Sequence, residues 1–232
     1  MPYLIAPFSL LGLISLLIGV GFSHEARADD GNFVVPVQFN FYLGEYDVTK
    51  GKGQFSGETL SETTRSENTV KLGKSYLSIP YQDFSLYLYP FSDGNRYMAL
   101  GYMAASNLKT GINIARAKNT NKVDNGSENA STLGGFLTWY ESVDSVQIES
   151  TLTYDVTWNT SRSENPINHV ITSSSARSAF VKPSVLFFYP LANNLYYFNG
   201  LGYSVAKTKS DGNLIVNSNF NITLAGVRFG LN

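Results

Sequence analysis

Few side chains in this sequence are of types that do chemistry, and their spacing argues against most of it. His169 is the only histidine beyond residue 28. It follows Ser163-Glu164-Asn165-Pro166-Ile167-Asn168, and Ser173, Ser174 and Ser175 come just after. A histidine within hydrogen-bond reach of a serine, and steadied by a carboxylate such as Glu164, would be a general base. A polar, proline-containing loop does not hold that geometry, so His169 reads as a solvated loop residue. Two acids, Glu149 and Asp155, and two bases, Lys182 and Arg228, fall on polar positions of alternating stretches. Paired carboxylates serve glycoside hydrolysis. Two acids matched by two bases suit an ion-pair network better, because buried charges must be paired. Asp211-Gly212-Asn213 resembles the start of a calcium turn but lacks the remaining ligands. Lys50-Gly51-Lys52-Gly53 lacks the lysine-hydroxyl pair of a phosphate loop. No catalytic residue, cofactor site or metal site is expected, and the chain is read as a non-enzyme.

The elements that would position these groups repeat every two residues. Val146, Ile148, Ser150, Leu152, Tyr154, Val156 and Trp158 share one face of a strand. Gln147, Glu149, Thr151, Thr153, Asp155 and Thr157 share the other. Residues 33–43 alternate in the same way. One pattern occurs twice, as SLYLYPFSDGNRYMALGY at 85–102 and VLFFYPLANNLYYFNGLGY at 185–203. Each copy predicts a hairpin, because its proline cannot donate to a ladder and its Asn, Asp and Gly residues form turns. Eight strands are expected, near 33–43, 84–89, 96–105, 132–140, 146–158, 179–189, 195–205 and up to 231. Short turns near 92, 143 and 192 would lie at one end. Polar loops at 45–74, 118–129, 159–175 and 207–213 would lie at the other, the first holding a possible extra hairpin. Pro183 predicts a bulge in the sixth strand. A change of apolar parity between Leu224 and Val227 predicts another near Ala225-Gly226.

Composition agrees with this pattern. The chain has 232 residues, of which 14% are aromatic and only 15% charged, against roughly 25% charged in soluble domains. The net charge of -1 offers nothing to a nucleic acid. With no cysteine there is no disulfide framework and no thiol nucleophile. Residues 1–28 read as a signal peptide: 4–22 is almost wholly apolar and Ala26-Arg27-Ala28 has the form of a cleavage site. Residues 29–232 would then be the mature barrel domain.

The Tyr-Pro turns, the Leu-Gly-Tyr strands and the closing Leu224-Ala225-Gly226-Val227-Arg228-Phe229-Gly230-Leu231 resemble small eight-stranded outer-membrane β-barrels of Gram-negative bacteria, of the OmpX, OmpW and opacity-protein kind. The resemblance implies an all-β fold, a closed antiparallel up-and-down transmembrane β-barrel, in the bacterial outer membrane after export. Its implied partners are outer-membrane lipid and lipopolysaccharide, the barrel assembly machinery, and host or surface ligands reached through the loops. In that family the last residue is usually aromatic, whereas this chain ends in Asn232. With apolar side chains facing lipid, Trp139, Tyr140, Trp158, Tyr89 and Tyr189 are the expected interface aromatics. Glu149, Asp155, Lys182 and Arg228 would form the polar network of the lumen. The function expected is environmental or host contact. A narrow pore or small-solute transporter is the alternative, and a secreted soluble barrel that binds a ligand is a third.

Overall fold

The computed structural model describes residues 37–55, 58–59, 63–69, 74–90, 95–121, 126–164, 170–210 and 213–231. The expected signal peptide and His169 lie outside them. Apart from one short turn, the regular structure of the described residues is all β. The strands are β1 (Val37–Phe55), β2 (Glu58–Thr59), β3 (Thr63–Thr69), β4 (Tyr76–Tyr81), β5 (Phe84–Leu88) and β6 (Asn95–Ala105). They continue as β7 (Leu108–Asn121), β8 (Gly126–Val143), β9 (Val146–Glu164), β10 (Ile171–Ala192), β11 (Leu195–Ser210) and β12 (Asn213–Leu231).

Ten of these, β1 and β4 through β12, pair antiparallel with their neighbours, and β12 pairs back to β1. A ring has no free edge, so every strand finds backbone partners on both sides. β2 and β3 pair with β1 above the short β4. Following paired residues once round the ring from Phe39 returns to β1 at Lys52, thirteen positions higher. That stagger tilts the strands by about 40°.

The ring has ten strands where eight were expected. The two extra are β4 and β7. β4 is six residues long and contains Pro80, so no alternation announces it. β7 does alternate, with Leu108, Ile112 and Ile114 against Lys109, Gly111 and Asn113. The turn that separates it from β6 is only Ser106-Asn107. The missed β4 reverses β5. The first Tyr-Pro turn therefore lies at the opposite end from the second, and the two similar segments are not equivalent in the barrel. The missed β7 reverses the order again, so every later strand runs as expected.

Four two-residue turns, Gln82-Asp83, Ser106-Asn107, Asp144-Ser145 and Asn193-Asn194, close one end. Gln82, Asp144 and Asn194 there take positive φ of 52°, 55° and 59°, the left-handed twist that two-residue hairpins require. At the other end the polar segments expected as loops are largely strand. β9 runs on to Glu164, β10 starts at Ile171, and 50–53 lies within β1 rather than in a separate hairpin. The wall therefore stands well above its apolar band.

The register shifts where the parity change required it. Leu224 and Ala225 take the place of one residue between Phe198 and Gly200, and a matching shift lies at Leu43-Gly44 of β1. Pro183 makes no bulge. The β10–β11 ladder lapses at Lys182-Pro183 and resumes in the same register at Ser184. Losing one N–H donor was absorbed without an extra residue.

Candidate functional site: the floor and cup of the lumen

The two faces of the wall are inverted relative to a soluble protein. Ile112 is 51% exposed and Ile114 49%, while Asn113 between them is 1% exposed. Leu133, Leu137, Leu152, Val181 and Leu201 also face outward, whereas Asn40, Thr138, Asp155 and Arg228 are buried inside. A barrel in water would put the polar set outside, so this arrangement excludes the secreted soluble reading and requires an apolar surround. Trp139 and Trp158 are both exposed on this outer face. Trp139 pairs with Ser150, eight positions below Trp158 on the same strand. With the tilt, the two rings stand roughly 20–25 Å apart along the barrel, the height of a lipid-facing band. Tyr189 is exposed near the turn end, in contact with Tyr197.

Two expected interface aromatics point the other way. Tyr140 follows outward-facing Trp139, so it must face the lumen, and there Lys109 Nζ lies 5.3 Å from its ring centre. Tyr89 continues the inward series of Ser85 and Tyr87 and packs against Tyr76 and Tyr97. Adjacent residues of one strand cannot share a face, and the reversed β5 carries Tyr89 away from the turn end.

Every strand of the ring contributes to a floor across the lower lumen. Arg228 of β12 is 5% exposed. Its Nη1 and Nη2 donate to the two oxygens of Glu149 on β9 at 2.6 and 3.1 Å, and its Nε donates to Asn40 Oδ1 of β1. The guanidinium lies 3.6 Å above the Phe188 ring of β10. Phe188 meets Phe198 of β11 at 5.1 Å, and Phe198 meets Tyr42 edge-on at 5.0 Å. Both phenylalanines are fully buried. On the far side Tyr76 of β4 meets Tyr87 of β5, which meets Phe136 of β8. Lys109 of β7 donates to Tyr87 Oη at 2.8 Å and Ser85 Oγ at 3.2 Å. Tyr97 of β6 closes against Tyr89 at 4.4 Å. Bidentate ion pairing, cation–π contact and edge-on ring packing hold the floor together, with Asn40 Nδ2 the floor's buried atom left without a hydrogen-bond partner.

Above this floor the lumen is lined by a polar cup. Asp155 is 1% exposed. Its Oδ2 accepts from Lys182 Nζ at 2.6 Å, and its Oδ1 accepts from Asn113 Nδ2, which also reaches Tyr97 Oη at 2.7 Å. Gly134 makes room for this carboxylate, since a Cβ there would strike Asp155 and the Tyr154 carbonyl. Lys182 is 42% exposed, reaching its acid from open lumen. Glu45, 1% exposed, is paired with Lys74 at 2.6 Å.

The four predicted lumen residues thus meet as Glu149–Arg228 and Asp155–Lys182. Sequence reasoning missed Lys109, Tyr76 and Asn113, which sit on the two unread strands. It also missed Glu45, because the Leu43-Gly44 shift turns odd positions inward above it. Among the described residues no group of three or more His, Asp or Glu side chains could hold a metal. Ser173 and Ser175 line a shallow groove of about 550 Å³ high on the wall, with Ser127, Asn129, Thr160 and Arg162.

No protein-family model and no curated sequence matches the chain. Likenesses to solved structures are at TM-scores below 0.5. It is similar to Neisserial surface protein A, at 13% identity and a TM-score of 0.34, over 83% of this chain and 97% of that one. It is similar to the outer membrane protease OmpT from Escherichia coli, at 11% identity and a TM-score of 0.46, over 88% and 99%. It is similar to Ail, the attachment invasion locus protein of Yersinia pestis, at 10% identity and a TM-score of 0.33, over 84% and 99%. The fold rests on the closed strand ring, and the apolar outer band and charged interior are what make the wall a membrane wall. The chain is a closed, ten-stranded antiparallel β-barrel whose apolar outer band and polar interior are those of a transmembrane wall.

Proposed function

We propose that this barrel is a non-conducting, non-enzymatic outer-membrane protein that holds an extended polar rim out for contact with the environment or a host. One observation supports this above the others: all ten strands of the ring send a side chain into the floor. A channel needs a continuous path of water, and here the path meets buried Phe188 and Phe198, the Arg228–Glu149 pair and a chain of tyrosines. Ten strands would otherwise leave more interior than eight, which side chains already fill. The strands meanwhile run on past Trp158 in serine, threonine and asparagine, a surface built to meet solvent and polar partners. Planar-bilayer recording tests the reading. The purified barrel should show no steady conductance, and large stable currents would overturn it in favour of a narrow pore.

A further inference from the structure

The outer face changes character just above the apolar band. On β10 and β11, Arg177 and Lys209 are register partners, and Lys207 is the next outward residue below Lys209. Register partners share a face, so two cations stand directly opposite each other with a third diagonal to them. All three are exposed. Like charges in direct opposition destabilise a sheet unless an anion lies between them. Among the described residues, no carboxylate lies within ion-pair distance of any of the three. Arg177 is also the register partner of Trp158, and its guanidinium lies 5.8 Å from that ring. Trp158 marks the upper edge of the lipid-facing band, so the cations stand at headgroup height. The hydroxyl-lined groove of Thr160 and Ser175, with Arg162, begins one outward position higher. A membrane offers one anion at that height in quantity, the phosphate of a lipid headgroup.

We propose that Arg177, Lys207 and Lys209 form a seat for the phosphate of a membrane lipid headgroup, with Trp158 packed beside it at the acyl boundary. This rests on the membrane-barrel reading. Arginine supplies a fork that grips two phosphate oxygens, and the lysines add point charge. The groove above supplies hydroxyl and amide groups for the sugar or glycerol of the same headgroup.

The test uses the full-length folded barrel in neutral detergent micelles, offered phosphatidic acid or phosphatidylcholine, with retained lipid counted by native mass spectrometry. Heat-modifiable gel mobility reports folding separately, so loss of that shift in every lipid would fail the membrane-barrel reading and not this one. The wild-type barrel should retain phosphatidic acid in preference to phosphatidylcholine. The preference should fall by about fivefold for each cation removed, measured in K209Q, in K207Q/K209Q and in R177Q/K207Q/K209Q. The single variant keeps the series readable if the triple variant folds poorly. Inorganic phosphate in excess should not displace the lipid, since the acyl chains anchor it beside Trp158. A wild-type barrel with no preference for the anionic lipid would overturn the proposal. So would an undiminished preference in K209Q and K207Q/K209Q, or displacement by inorganic phosphate alone.

Discussion

Replacing Glu149 by Gln keeps the shape of the floor and removes one charge. Arg228 would then remain 5% exposed, with its guanidinium over Phe188 and one neutral amide oxygen in place of a bidentate carboxylate. Removing one partner of a buried ion pair costs about 3–5 kcal/mol, because the other charge stays buried and uncompensated. Asn40 still accepts from Arg228 Nε, so the expected loss lies near the lower end, about 3 kcal/mol. Arg228→Met strands Glu149 instead and should cost a similar amount. The double variant Glu149→Gln, Arg228→Met removes the charge problem and should cost clearly less than the two single losses together. Urea unfolding of the barrel in lipid vesicles, followed by tryptophan fluorescence and gel mobility, measures all three. A single-variant loss below about 1 kcal/mol, or strict additivity in the double variant, would refute the floor as a coupled network.

Leu152→Arg should block insertion into vesicles and Thr153→Arg should not, because Leu152 faces lipid and Thr153 the lumen. A midplane cation costs roughly 2–4 kcal/mol, and equal yields of heat-modifiable barrel would contradict the face assignment. Gly134→Ala should lower folding yield sharply, since its Cβ would strike Asp155 and the Tyr154 backbone. Gly44→Ala should be near neutral, its nearest neighbour being Leu224 Cβ at 3.9 Å. Unfolding midpoints compare the two, and the reverse order would count against the packing of the Asp155 site. Phe188→Ala with Phe198→Ala empties the fully buried core of the floor, at about 3–5 kcal/mol per ring. It should turn a silent barrel into one with small flickering currents, and silence in the double variant would move the barrier elsewhere in the lumen.

Legibility in the sequence followed the strength of alternation. β9 could be read residue by residue, because seven outward and six inward positions agree. From that strand alone Glu149 and Asp155 are placed inside, and their partners Lys182 and Arg228 follow from the parity of β10 and β12. The bulge at Leu224-Ala225 was legible too, since parity cannot change without an extra residue. β4 was not legible, because six residues with a proline carry no period. Its absence reversed one strand and put Tyr89 at the wrong end. Tyr140 cannot be placed by its aromatic character, because it and Trp139 are adjacent on one strand and must face opposite sides. The full height of the wall was hidden for a different reason. Above the membrane both faces of a strand meet water, alternation vanishes, and a strand of Ser, Thr and Asn looks like a loop.

The seam between β1 and β12 joins the first and last strands of the ring. Val37 pairs with Leu231 and Phe39 with Phe229, and the rings of Phe39 and Phe41 lie 4.9 and 5.7 Å from that of Phe229. Ribosomal synthesis runs from one end of the chain to the other, so the first strand emerges long before its partner exists. Until the last residues arrive, two unpaired edges persist, each a template for another chain. Closure of so distant a contact makes the search slow. Deleting the last nine residues would leave Phe39 and Phe41 without Phe229 and the lower half of β1 paired on its β4 side alone. Such a truncated chain should accumulate as an aggregate or be degraded, and should not appear as a smaller barrel.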